Sequence, residues 1–213
     1  MDEYLKDIQD IKSLMENRTR FLSLSGSSGI LAGIYALIGA YVANRMAITS
    51  QTTAYSDIRN GFLSPIVLKL LAVAALVLLL SLVTAYFFTS RKAQQRNESL
   101  WNKASLNALK AFLVPLVTGG IFGLLVLAKG HLMLIGPITL IFYGMALYSA
   151  SRYTYRDVAT LGLMEIGLGL VSMLFPGLGI YFWAIGFGVL HIIYGVIMYY
   201  KYDKVEQTSL TKA

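Results

Sequence analysis

The chain has 213 residues, a net charge of +7, 56% hydrophobic and 14% charged residues, and a mean hydropathy of +0.63. That balance excludes an ordinary water-soluble domain and indicates membrane-crossing segments with charges pushed between them. The cations are spread over segment ends, which excludes a nucleic-acid partner; zero cysteines and two histidines leave no expectation of a disulfide, a metal site or a cofactor.

The chain opens on "MDEYLKDIQDIKSLMENRTR", a mixed-charge run where a secretory signal would be short and basic. Tyr4, Ile8, Ile11 and Met15 fall on one helical stripe, so 1–21 is expected to form a cytoplasmic amphipathic helix. Its apolar stripe suits a partner protein or a second copy of the chain.

A helix rising about 1.5 Å per residue needs roughly 20 residues to cross about 30 Å of hydrocarbon. Six segments approach that length: 22–43, 63–88, 106–128, 132–150, 158–175 and 179–199. The first carries Ser25, Gly29 and Gly33 at four-residue spacing, and the third carries Gly119 and Gly123. Small residues at this spacing mark close helix–helix contacts in lipid. A long polar loop, "NRMAITSQTTAYSDIRNG", follows the first segment, and a basic connection, "TSRKAQQRNESLWNKASLN", follows the second. Pro115 and Pro137 fall inside the third and fourth segments and are expected to kink them, freeing the carbonyls of Ala111 and Met133.

The tips "AKGH" and "FPGLG" are short enough to force antiparallel neighbours. The expected fold is therefore an all-α integral membrane bundle over 22–200. It consists of six transmembrane helices arranged as three antiparallel hairpins, followed by a tail over 201–213. Lys and Arg concentrate in the segments that lie on one side of such a bundle, which places both termini in the cytoplasm.

The third and fourth segments align with the fifth and sixth at an offset of 51 residues, with "IFYGMALY" against "IIYGVIMY". A parallel hairpin repeat is one reading of that match.

"GLMEIGLGLVSMLFPGLGIYFWAIGFGVLHIIYGVIMYY" resembles the hairpin repeat of six-span bacterial inner-membrane proteins of the HdeD acid-resistance type. There, a Gly-spaced helix ends in a Pro-Gly tip and a second helix carries a late Gly. The resemblance covers 161–200 well and the preceding hairpin loosely. The opening "MDEYLKDIQDIKSLMENRTRFLSLSGSSG" is similar instead to six-span proteins of Bacteroidota. These resemblances imply a bacterial inner-membrane protein of accessory or stress-response type and bring no catalytic motif.

Two titratable residues interrupt the last apolar segments. Glu165 and His191 stand 13 residues either side of Leu178, so straight helices put both about 20 Å from the tip, at one level. Glu165 shares a stripe with Gly169, and His191 shares one with Gly188 and Gly195. Both stripes are of small residues and should face neighbouring helices. Burial in lipid disfavours the ionised form of each group; side by side they would titrate as a unit. The expected function is a non-enzymatic accessory protein with a pH-responsive Glu/His pair. The alternative is a small proton-coupled transporter or channel.

Overall fold

A computed structural model describes residues 21, 24–49, 64–95 and 99–204. The expected amphipathic helix over 1–21, apart from Phe21, most of the polar loop and the tail beyond 204 lie outside the described residues. The described part is all-helical, 88% helix with no strand. We label its helices α1 (Gly26–Thr49), α2 (Pro65–Gln95), α3 (Lys103–Ala128), α4 (Ile135–Ala150), α5 (Asp157–Ser172) and α6 (Gly179–Asp203).

Five of these are long and apolar enough to cross a membrane: α1, α2, α3, α6, and α4 taken with its flanking 3-10 turns as Leu132–Tyr153. α5, at 16 residues, falls short of that length. The outward faces of α2 and α3 expose Leu76, Leu79, Leu82, Phe87, Val114, Ile121 and Leu125. A continuous apolar surface of this kind suits lipid and not water.

Local chemistry sets the helix ends. Asn102 accepts from the Ser105 N–H (2.8 Å) and its own N–H donates to the Ser105 hydroxyl (3.0 Å). This reciprocal capping box starts α3 at Lys103. Gly130 (φ 84°) and Gly177 (φ 95°) adopt the left-handed backbone at the two tips, a conformation that strains a residue bearing Cβ.

One expectation is corrected here. "TSRKAQQ" is not loop but the last turns of α2, held helical because Lys92 and Ala93 are buried against the bundle end. Pro137 is the third residue of α4 and follows the 3-10 turn Leu132–Leu134 with which the same helix begins. Pro115 does lie within α3, and the helix continues through it from Lys103 to Ala128.

The packing forms two triplets rather than three separate hairpins. In the first, α1 is central. It runs antiparallel to α2, with the Tyr35 and Thr84 hydroxyls 3.3 Å apart, and antiparallel to α6, with Gly33 against the Gly188 carbonyl. In the second, α4 is central. It runs antiparallel to α3, with the Phe142 ring over Gly119, and to α5, with Gly144 and Gly162 backbone to backbone. α5 and α6 are consecutive in the chain, yet each packs mainly on the central helix of its own triplet. The two triplets meet along a seam made by α4, α5 and α6.

Candidate functional site at the seam between the triplets

Gly186 lets α6 come close to Leu140 of α4 and to Glu165 and Leu168 of α5, and polar groups collect at this point of the seam. Glu165, the ninth residue of α5, is fully enclosed (0% exposed), and His191, midway along α6, is 7% exposed. His191 Nδ1 lies 3.4 Å from Glu165 Oε1. The ring is held from both ends: Nδ1 is 3.0 Å from the Gly186 carbonyl oxygen, and Nε2 is 2.8 Å from the Tyr143 hydroxyl. A carbonyl oxygen only accepts, so the ring proton is assigned to Nδ1. In the neutral ring Nε2 then accepts from the Tyr143 O–H.

The backbone of α6 is adapted to this arrangement. Ala184–Leu190 is π-helical, and the His191 N–H turns back to the Gly188 carbonyl, while the Gly186 carbonyl receives the imidazole. Single π turns inside α-helices recur at functional sites. Gly186 also makes room for the acid, since a Cβ there would stand 2.5 Å from Glu165 Oε2 and 2.5 Å from Leu140 Cδ2.

Neither Glu165 oxygen meets a hydrogen-bond partner among the described residues. A buried polar atom left this way costs about 1–3 kcal/mol, so the imidazole is the group positioned to relieve the carboxyl. Tyr143 is itself wedged between aromatic rings, with centroids 4.9 Å from Phe187 and 5.9 Å from Phe112.

The other small residues divide between the two triplets. Gly29, Gly33, Gly188 and Gly195 form the α1–α6 contact, with Gly195 against the Ile30 N–H and the Gly26 carbonyl. Gly119 and Gly123 receive Phe142 and Ile138 of α4, and Gly169 lies against Ile141, Leu140 and the Pro137 carbonyl. Ser25 is polar in use, its hydroxyl donating to Asp203 Oδ2 at 3.1 Å.

Sequence reasoning missed three features. Tyr143 and Gly186 complete the Glu165–His191 site. Gly144 and Gly162 make the tightest contact of α4 with α5. The third is a buried ion pair at the end of the bundle, where Lys92 Nζ lies 2.6 Å from Asp203 Oδ1. Lys92 also donates to the Leu24 carbonyl (3.0 Å) and the Tyr155 hydroxyl (3.4 Å), and the Gly26 N–H donates to Asp203 Oδ2 (2.9 Å). Asp203 thus caps the start of α1 while neutralising the end of α2. Position 203 lies about a third of a turn off the His191 stripe at the regular helical period, and only the π-helical turn Tyr199–Asp203 brings it inward, so the sequence carried no signal for it.

Beside this cluster Asp157 accepts from Lys201 Nζ (2.7 Å) and from the Tyr202 hydroxyl (2.7 Å). Partial burial alone would raise the Asp157 carboxyl. The hydrogen bonds from Lys201 and Tyr202, with the Lys201 charge, outweigh it and hold the group below the ordinary aspartate value.

No family model matches the chain, and neither a curated protein nor a solved structure does, so function is read from the geometry of the seam.

Proposed function

We propose that the chain is a non-enzymatic, six-crossing protein of the bacterial inner membrane, of accessory or stress-response type, whose two triplets are joined at a seam that responds to protonation. The sixth crossing is α5. Its 16 residues continue in tight turns through Phe175, with the Leu174 and Phe175 N–H groups donating three residues back. An even number of crossings leaves both termini on one side, and the Lys and Arg distribution favours the cytoplasm.

The observation that carries the reading is the enclosed Glu165 carboxyl, 3.4 Å from His191 Nδ1 and without another donor among the described residues. Together the two groups are neutral when they hold one proton between them. A second proton leaves an uncompensated cation at the seam, and loss of the first leaves an uncompensated anion. Either charge is costly at that depth, and separating the triplets relieves it by admitting water. A small proton-coupled transporter is the second reading, favoured by the continuity of Tyr143, His191 and Glu165 across three helices.

The test is the melting temperature of the protein in lipid nanodiscs between about pH 4 and 9, for wild type and for the double variant Glu165→Gln/His191→Gln. Wild type is expected to lose stability towards both ends, at up to about 1.4 kcal/mol per pH unit for each proton linked. The double variant should lack that component. Superimposable profiles contradict the reading. Proton flux in proteoliposomes that disappears with Glu165→Gln would favour the transporter.

A further inference from the structure

The residues that lead into α1 are fastened across the end of the bundle. Phe21 is 7% exposed, and its N–H donates to the Tyr153 carbonyl at 2.7 Å. The Leu24 carbonyl accepts from Lys92 Nζ near the end of α2 (3.0 Å). The Ser25 hydroxyl (3.1 Å) and the Gly26 N–H (2.9 Å) both donate to Asp203 at the end of α6. These attachments reach both triplets. α2 and α6 belong to the first, while Tyr153 lies in the connection from α4 to α5 in the second.

The Leu24 side chain is what this segment brings to the seam. It packs on the buried cluster of Tyr155, Val158 and Met198, with Leu147, Tyr194 and Tyr202 around it. Val158 is seven residues from Glu165 on α5, and Met198 is seven from His191 on α6. At about 1.5 Å per residue, the cluster lies about 10 Å from the pair along both helices. It stands between the pair and the end of the bundle where the Lys201 side chain is 53% exposed. Water moving along the seam from that end must pass it to reach Glu165.

We infer that Phe21, Leu24, Ser25 and Gly26 form a strap that closes the seam over the Glu165–His191 pair, and that lifting it admits water to the pair from the Asp203 end. The attachments suit a closure that can be undone. Lifting the strap breaks hydrogen bonds, yet Lys92 and Asp203 keep each other as partners at 2.6 Å, so neither charge is stranded. Leu24 leaves with the strap, whereas Val158 and Met198 stay on their helices. The inference rests on the reading that the pair responds to protonation, and it adds what controls access to that pair.

The experiment measures access directly and does not depend on titration. The chain has no cysteine, so a single introduced cysteine reports the reach of a charged, membrane-impermeant thiol reagent. The full-length protein is labelled in lipid nanodiscs. Leu161→Cys puts the probe one turn from Glu165 on the strap side, where Leu161 is 4% exposed. Ser172→Cys puts it two turns from Glu165 on the far side, where Ser172 is 2% exposed. Adding Leu24→Ala or Phe21→Ala should raise the labelling rate of Leu161→Cys at least about tenfold, because truncating a packed side chain lowers the cost of local opening. The rate of Ser172→Cys should not change. Equal acceleration at both probes means a loosened fold and overturns the strap, as does a Leu161→Cys rate that neither substitution alters. A wild-type melting temperature that ignores pH overturns the titrating pair, while accelerated labelling of Leu161→Cys alone still establishes the closure.

Discussion

Replacing Asp203 by alanine is expected to destabilise the folded bundle more than any other single change considered, by on the order of 3 kcal/mol. The Asp203 carboxylate lies 2.6 Å from the Lys92 ammonium and accepts from the Ser25 hydroxyl and the Gly26 N–H. Truncation leaves the buried Lys92 side chain without this carboxylate and the first turn of α1 without its cap. The ends of α1, α2 and α6 lose their common anchor together. Joint replacement, Lys92→Met with Asp203→Leu, should restore part of the loss, because two apolar side chains leave no buried charge behind. Reversible unfolding of the single and double variants in detergent micelles checks this. A single variant as stable as wild type would mean that the pair contributes nothing.

The second large effect is expected at Gly144, where α4 crosses α5. A Cβ at this position would stand 2.5 Å from the Gly162 carbonyl oxygen and 2.9 Å from the Ile166 nitrogen. Both are backbone atoms that cannot rotate away, so the helices themselves must separate. Gly144→Ala should cost roughly 1–3 kcal/mol, as overpacking of a well-fitted contact does. Gly167 lies on the same pair of helices but has nothing within 4 Å of its would-be Cβ. Gly167→Ala should be neutral or slightly stabilising, since alanine is the better helix former. Unfolding of the two variants side by side separates close approach from helix propensity. Equal effects would contradict the contact.

Helix packing in lipid lacks the hydrophobic drive that works in water and depends on close fit and polar contacts instead. This accounts for where both predictions fall, one on a backbone-to-backbone crossing and one on a buried charge pair. It also accounts for the polar groups collecting at the seam, where consecutive helices belong to different triplets.

Much of this was legible in the chain itself. Apolar length located the helices, because a bilayer dictates the length of what crosses it, although α1 and α2 run on to Thr49 and Gln95 beyond the expected ends at 43 and 88. The levels of Glu165 and His191 follow from counting away from the "FPGLG" tip. The small-residue stripes on α1 and α6 mark faces that a neighbour must cover. What could not be read depends on which helix supplies the neighbour. Tyr143 looks like any aromatic in an apolar run until α4 is placed beside α6. The π-helical turns at Ala184–Leu190 and Tyr199–Asp203 change the phase of α6, so a constant helical period cannot forecast that the Gly186 carbonyl meets the imidazole. Lys92 resembled one more cytoplasmic cation because its partner lies 111 residues away.

The account depends most on the coupling between Glu165 and His191 across the seam. A double-mutant cycle with Glu165→Gln, His191→Gln and the double variant, read as unfolding free energy in one detergent at neutral pH, measures it directly. The predicted result is a coupling of at least about 0.5 kcal/mol, as groups in contact give. Strictly additive losses would show that the acid and the imidazole act independently, and would contradict the account.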